Sequence, residues 1–470
     1  MAIAPNAGDL QAGSDKAAAY GKDMPWPSQA AGAWALFAVI FATFITFLDQ
    51  TAFGLLAEKM KVSFGISDWT LGLLLGPVTV VAYVIVGIPL ARLVDIYARK
   101  WVLGIGIAAL GSIMALGGLA QNLGQLIGTR LFVGASSSAN GPGSYSILVD
   151  YFRPIRIPLV FALLQLGFIM GNSLGNIIGG RLIRWTETLG ETTSVIGIEI
   201  FSWQLVLIFV GLPGILAGLI WLTVKEPPRR SPPEASVLVA PDAPFWRKLI
   251  AFMGFDAVLA INARGAVFYP LFAALAMSAL ESQGLPQFRA PFMVRTYGWS
   301  EAQIGTLLGT MLLVAMLLGI LVGGVFVTLM SKRYKDANIR CTAIIFTCTT
   351  IVTIAMPLMP SGELALGCMA LAAFFGLAGA PAQNAAIQRI APNEMRGQVT
   401  AFYLFMFTFF GAMGPMVIGG VSTFIVGDEQ QIWKAILITA VVFLPLATFF
   451  MWRGIKPYRQ EVERLEALGM

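Results

Sequence analysis

Apolar runs of about 20 residues or more recur along this chain. They do not alternate in the period-two manner of barrel strands, so the pattern predicts membrane-crossing helices rather than a transmembrane β-barrel. Twelve such runs are present. Helices 1 to 6 are predicted at 33–57, 69–93, 101–120, 123–151, 157–184 and 202–224. Helices 7 to 12 are predicted at 265–286, 302–330, 341–360, 363–390, 397–426 and 431–452. The fold class is therefore an all-α membrane protein with twelve transmembrane helices.

The polar intervals between the runs set the organisation. A charged, Pro-rich stretch from Lys225 to Pro244 separates two sets of six helices. The halves read as weak copies. Helices 4 and 10 each run into a basic turn, Arg153–Arg156 and Arg389–Arg396, about 240 residues apart. Likewise Asp95, Arg99 and Lys100 follow helix 2, and Lys332, Arg333 and Lys335 follow helix 8. Two pseudo-symmetric six-helix bundles joined by a linker form a transporter architecture, with the site between the halves near mid-membrane. The division expected is a disordered tail at 1–32, a first bundle at 33–224 and a linker at 225–263, then a second bundle at 264–453 and a tail at 454–470. The apolar but charged run Phe245–Asn262 is read as an interfacial helix, or alternatively as part of helix 7.

Composition agrees with burial in lipid. The chain has 470 residues, of which 57% are hydrophobic and 12% charged, against about 25% charged in soluble domains. Its net charge of +6 sits in short connecting segments, which argues against nucleic acid as a partner. Lys and Arg concentrate in the segments that place both termini in the cytoplasm of a cell (inner) membrane, as the positive-inside rule requires. The three cysteines, Cys341, Cys348 and Cys368, show no disulfide or metal spacing. There is no histidine, no phosphate-binding Gly-Lys-Ser/Thr loop and no nucleophile–base constellation. Neither an enzyme nor a cofactor is expected.

Against this apolar background the buried charges stand out. Arg130 lies inside helix 4 and Asp49 inside helix 1; at 1.5 Å per residue both lie roughly 10–12 Å below the outer surface. An intramembrane charge marks function by default, and two opposite charges at equal depth offset much of each other's cost. Either Asp49 exchanges protons under the influence of Arg130, or the two form a fixed tie between helices 1 and 4. They are also the expected outer gate; Asp95, Arg99 and Lys100 are the expected cytoplasmic gate. Candidate substrate-binding residues are Gln50, Asn140, Tyr145, Gln165, Asn172, Asn176, Tyr269, Gln383, Asn384 and Tyr403. Pro142 is placed to bend helix 4. Gly167, Gly171, Gly175 and Gly179 form a smooth stripe on helix 5, suited either to a moving contact between halves or to static packing. The second half offers amides such as Gln383 and Asn384 but few evident charges. The cavity is therefore expected to be charged on the first-half side and merely polar or apolar on the other.

Several of these motifs resemble the major facilitator superfamily. The turn ARLVDIYARKWVLG is similar to its loop signature at Asp95, Arg99 and Lys100, with Ala91 and Ala98 in place of glycines and Ile96 in place of an Arg. In the second half Thr328 stands where the signature's Asp would be. RLFVG in helix 4 resembles the family's Arg-x-x-x-Gly motif, which implies a role for Arg130 in proton coupling. GNSLGNIIGG in helix 5 is similar to the antiporters' Gly-rich motif, with Asn176 in place of Pro. Helix 1, helix 4, WSEAQIG and APNEMRGQ look most like the spinster-like branch, whose members carry lysolipids and sphingolipid-type molecules. That branch has Asp-Arg where this chain has Asp49-Gln50, and Glu where it has Ser137. The expectation is a monomeric secondary active transporter working by alternating access. A small organic solute, amphipathic or anionic, would be driven by protons across the lipid bilayer. An uncoupled facilitator or exporter of lipid-like molecules and a non-transporting sensor are the alternatives.

Overall fold

The computed structural model describes residues 25–138, 140–195, 197–230, 264–390 and 396–467. The candidate interfacial helix, most of the first tail and linker, and part of the APNEMRGQ turn lie outside the described residues. So do the side chains of Asp95 and Pro142.

Eleven helices among the described residues are long and apolar enough to cross a membrane. Helix 4 is the twelfth crossing. It escapes a simple length criterion because it is built in two pieces, Leu123–Ser137 and Asn140–Tyr151. Pro142 supplies no amide hydrogen to the carbonyl one turn back, at Ser138, which is where the helix parts. Helix 2 is divided in the same way, into Asp68–Leu75 and Pro77–Ile96 around Gly76. Helix 1 runs over Gln29–Leu55 and continues past a break at Leu56 as Ala57–Phe64. Helices 3, 5 and 6 are Arg99–Gly117, Ile157–Glu187 and Gln204–Thr223. A short antiparallel hairpin, β1 (Thr192–Val195) and β2 (Ile198–Phe201), joins helix 5 to helix 6.

In the second half helix 7 is Gly265–Tyr297, helix 8 Glu301–Ser331 and helix 9 Ala337–Ala355. Helix 10 is Gly362–Ile390, and helix 11 is Arg396–Gly420, extended by a π turn over Val421–Val426. Helix 12 covers Ile432–Ala467. Two helices outrun the apolar pattern. Helix 7 continues through Pro286, Arg289 and Pro291 to Gly298, whose φ of 69° ends it in the left-handed region that glycine tolerates. Helix 12 continues beyond 453 as an amphipathic extension. Its Tyr458 and Val462 are buried, while Arg459 bonds Asp336 at 2.8 Å and Glu466 bonds Lys335 at 2.7 Å.

An even number of crossings puts both termini on one face, here termed the terminal face. The halves meet toward the opposite face, and a short repeat carries that contact. Helix 2 opens Ser67-Asp68 with glycines at 72 and 76; helix 8 opens Ser300-Glu301 with glycines at 305 and 309. Both serines cap their helices, Ser67 accepting from the Thr70 amide and Ser300 closing a capping box with Gln303. The glycines press on the other half's backbone. A Cβ at Gly72 or Gly76 would fall 2.4 and 2.1 Å from carbonyls of Pro415 and Ala412 in helix 11. At Gly305 and Gly309 it would fall 2.6 and 2.5 Å from those of Asn176 and Ser173 in helix 5. Missing side chains let helices 2 and 11, and helices 5 and 8, pack backbone to backbone across the interface.

Candidate functional site

Between the halves lies a cavity with two adjoining lobes. One, of about 400 Å³, is walled mainly by helices 7 to 12 with helices 1 and 5. The other, of about 440 Å³, is walled mainly by helices 1 to 5 with helices 7 and 11. Phe47, Gln50, Gln165, Phe168, Gln283 and Gln287 line both lobes and so stand where they join.

Asp49 and Arg130 meet in the wall of the first-half lobe. Arg130 Nη1 donates to Asp49 Oδ1 at 3.0 Å and to Oδ2 at 3.2 Å. Both residues are almost fully buried, at 2% and 5% exposure. The guanidinium also lies 3.9 Å from the ring centre of Phe53, a cation–π contact in a dry setting. One nitrogen thus carries the whole pair. Arg130 Nε and Nη2 are buried without hydrogen-bond partners, so the arginine holds donor capacity that Asp49 does not use.

The other candidates divide. Asn140 donates to Thr46 Oγ1 at 3.3 Å and accepts from Ser144 at 3.1 Å; with Tyr145 it lines the first-half lobe. Gln383, Asn384 and Tyr403 line the second-half lobe, as do Asn172 and Asn176. The two helix 5 asparagines spend their amide nitrogens on the carbonyls one turn back, at 3.0 and 2.7 Å. Tyr269 lies at the terminal-face end of helix 7, exposed and outside the lining of either lobe. The helix 5 glycine stripe faces helix 1 of its own half: Cβ atoms there would meet Thr43, Phe47, Thr51 and Leu55. That stripe is packing within a bundle. The contact between halves uses the neighbouring edge of the helix, at Ser173, Asn176 and Gly180.

Two charges that the sequence reading overlooked correct its picture of an uncharged second half. Glu281 and Arg289 of helix 7 both line the second-half lobe. Glu281 is 3% exposed and its Oε1 has no hydrogen-bond partner; Arg289 Nε is likewise buried and unpartnered. Arg289 belongs to the stretch in which Pro286 and Pro291 disguised a continuous helix, whereas Glu281 lies inside the predicted span and was passed over.

The ion pairs joining the halves lie nearer the opposite face than Asp49 and Arg130, which are both in the first half and so do not bridge it to the second. Arg295 at the end of helix 7 bonds Asp68 through Nη1 at 2.8 Å and Nη2 at 2.9 Å, and Glu58 through Nη2 at 2.7 Å. Lys61 bonds Asp68 at 2.8 Å and also reaches Glu429. Ser422, presented by the π turn, donates to Asp68 at 2.6 Å. Asp68 is fully buried at the centre. Its counterpart in the repeat, Glu301, lies 3.8 Å from Lys59. Charges at helix ends read as ordinary flanking residues, which is why this cluster went unnoticed.

On the terminal face Arg99 is buried in a network within the first half. It bonds Asp150 at 2.5 Å, Glu226 at 2.8 Å and the Ser146 hydroxyl at 3.0 Å. The Lys100 ammonium lies 5.4 Å from the ring centre of Trp101. In the second half Asp336 is clamped by Arg340 and Arg459 at 2.6 and 2.8 Å. Burial works against the Asp336 charge, but the two arginines outweigh it and hold the carboxyl below its ordinary range.

Two six-helix halves around a shared, charged and partly apolar cavity define a membrane transporter, not an enzyme. The chain belongs to the Major Facilitator Superfamily, whose family profile matches residues 39–415 and 266–467. It is 25% identical over 443 residues to a protein of Mycolicibacterium smegmatis named an MFS-type efflux pump, covering 92% of this chain and 94% of the pump. It is 24% identical over 189 residues to the protein spinster of Drosophila melanogaster, spanning 40% of this chain and 29% of that protein. Its fold resembles the crystal structure of a bacterial homologue of the human lysosomal transporter spinster, in an inward-facing and unoccupied conformation. There the TM-score is 0.74 and the identity 23%, with 93% of this chain and 99% of the other covered. The spinster-like branch that the sequence resembled is thus the neighbourhood in which the chain sits.

Proposed function

We propose that this transporter is secondary active and proton-coupled, moving a small amphipathic organic solute by alternating access. Its membrane is the cell (inner) membrane, with the terminal face in the cytoplasm, a placement supported by the concentration of Lys and Arg in the segments on that side. The likeness to a protein named an efflux pump supports export. The observation that carries the reading is the Asp49–Arg130 pair, held in the cavity wall through a single arginine nitrogen.

The pair works as a proton-sensitive latch. With Asp49 ionised, Coulomb attraction and two charge-assisted contacts keep Arg130 against helix 1. A proton on Asp49 removes the attraction, and Arg130 turns its unused donors to solute or to neighbouring carbonyls. Helix 1 carries the change outward, because past its break at Leu56 it supplies Glu58 and Lys61 to the cluster that ties the halves. The binding surface comprises Gln50, Gln165, Asn140 and Tyr145 with Gln383, Asn384 and Tyr403; Asn172 and Asn176 join it by exchanging their bonds to the helix for bonds to solute. Asp95, Arg99 and Lys100 serve the cytoplasmic closure. The working unit is a monomer, since both lobes are formed within one chain.

The test is flux into proteoliposomes under an imposed pH gradient, with rhodamine 6G and the anionic 1-anilinonaphthalene-8-sulfonate as amphipathic probes. Gradient-driven accumulation of one probe is expected in wild type and its loss in Asp49→Asn. Equal accumulation with and without the gradient, or an Asp49→Asn variant that responds as wild type does, refutes coupling through this pair.

A further inference from the structure

The two acids in the cavity wall occupy matching places. Helices 1 and 7 are counterparts, each running to a left-handed glycine, Gly65 and Gly298, just before the serine that caps the next helix. Counted back from those glycines, Asp49 and Glu281 fall within one position of each other. Their neutralisation differs. Asp49 has Arg130 from helix 4. Counted from Asn122 and Ser361, whose side chains accept from amides in the first turns of helices 4 and 10, the place of Arg130 falls at Met369. Helix 10 carries no charged residue between Glu363 and Arg389. The second half has kept the acid and lacks the base.

The surroundings of Glu281 do not replace it. Helix 11 has Tyr403 as its only ionisable residue between Gly397 and Gly420. Of the cations of helix 12, Lys434 lies near its start and Arg453, Lys456, Arg459 and Arg464 lie toward its other end. Helix 1 offers Asp49, already paired. Arg289 lies two turns along the same helix, about 12 Å away at 1.5 Å per residue. The immediate neighbour from helix 12 is Thr439. Its hydroxyl lies 3.0 Å from the Ile436 carbonyl and is the neutral hydrogen-bonding group that helix 12 offers Glu281. A neutral hydroxyl does not supply the counter-charge that a buried carboxylate requires. An isolated carboxylate buried this deeply is costly unless a cation joins it.

We propose that Glu281 is a cation-exchange site. It holds a proton while the cavity is empty and gives that proton up to bind the ammonium group of an amphipathic amine. The exchange balances: one proton leaves as one monocation arrives, and the site stays neutral. The apolar body of the solute lies against Phe47, Phe168, Phe346 and Phe407, which line the same lobe. Arg289 at the far end of that lobe excludes a second cation. This names the substrate class within the transporter reading and rests on it only for the meaning of binding, because occupancy of Glu281 is measurable without flux.

The experiment uses the full chain in lipid nanodiscs. Binding of rhodamine 6G is read by fluorescence anisotropy, and proton release by a pH dye in weak buffer. Wild type is expected to bind the cation more tightly as pH rises from 6 to 8 and to release about one proton per probe bound. Glu281→Gln is expected to weaken cation binding at least tenfold, abolish the release and leave binding of the anionic naphthalene sulfonate unchanged. Glu281→Asp is expected to restore cation binding in part, which separates a lost charge from a misfolded protein. Equal cation affinity in Glu281→Gln, preference of wild type for the anion, or cation binding without proton release overturns the proposal. The coupling reading stands or falls separately, on the pH-gradient flux of Asp49→Asn.

Discussion

Asp68→Asn is the sharpest perturbation of the contact that holds the halves together. Asp68 is fully buried and accepts from Arg295 twice, from Lys61 and from Ser422. Removing one partner of a buried ion pair costs about 3–5 kcal/mol. Two features favour the low end. Asparagine keeps one carbonyl to accept with, and Arg295 retains Glu58 and the Glu429 carbonyl at 2.7 Å. A bias of about 3 kcal/mol is close to a hundredfold change in the balance between this arrangement and one in which the opposite face opens, at 1.4 kcal/mol per factor of ten. The assay is pulsed electron resonance between spin labels placed at Gly65 and Gly427, which flank the cluster, in a background with Cys341, Cys348 and Cys368 replaced. Wild type is expected to give one short distance and Asp68→Asn a dominant longer one, with unchanged expression and gel-filtration profile. If the distribution stays short, or if it broadens together with loss of folded protein, the cluster is not the closing contact.

Two further outcomes follow from the same geometry. Gly309→Leu puts a side chain where even a Cβ would lie 2.5 Å from the Ser173 carbonyl, so the same label pair should report separation of the halves; a short distance in that variant refutes the close-packing argument. On the terminal face, the folded state holds the Asp336 carboxyl below its ordinary range, against burial, through Arg340 and Arg459. A depressed folded value adds stability above the unfolded value of about 3.9 and loses it as pH falls through the lowered one. Hydrogen-exchange protection in the last turns of helix 12, taken relative to the intrinsic exchange rate at each pH, should therefore be flat from pH 7 down to about 4 and fall only below that, whereas Asp336→Asn should lower it throughout.

Much of the architecture was legible because lipid enforces long apolar runs, and helix 4 shows both the reach and the limit of that signal. Its apolar length and its Pro142 were readable, and so was the depth at which Arg130 finds Asp49, since one axial rise per residue fixes both. Helix 7 was cut short because Pro286, Gln287 and Arg289 look like an exit from the membrane. In a bundle interior these residues face a cavity and not lipid, so the usual cost does not apply. The end cluster of Glu58, Lys61, Asp68, Arg295 and Glu429 was invisible for a different reason. Each residue is ordinary at a helix terminus, and only tertiary packing brings four helix ends to one point. The helix 5 glycines were readable as a packing face, but sequence spacing does not say which neighbour is packed.

The division of charge between the halves bears on why a pseudo-symmetric transporter would lose part of its symmetry. If both halves carried a closed acid–base pair, the cavity would be internally neutral and would present solute with no unsatisfied group. Here the first half closes its pair through one arginine nitrogen, and the second leaves its acid without a counter-ion from helix 10. On the coupling and cation-exchange readings proposed above, a proton reaching Asp49 would loosen a bond that exists, and a cation reaching Glu281 would make one that does not. The two events would therefore pull in opposite senses on helices 1 and 7, and both helices end in the cluster at the opposite face, through Glu58 and Lys61 on one side and Arg295 on the other. A symmetric charge pattern would cancel that difference. On those readings the missing base on helix 10 would let two ligands of the same charge act on one gate in different ways.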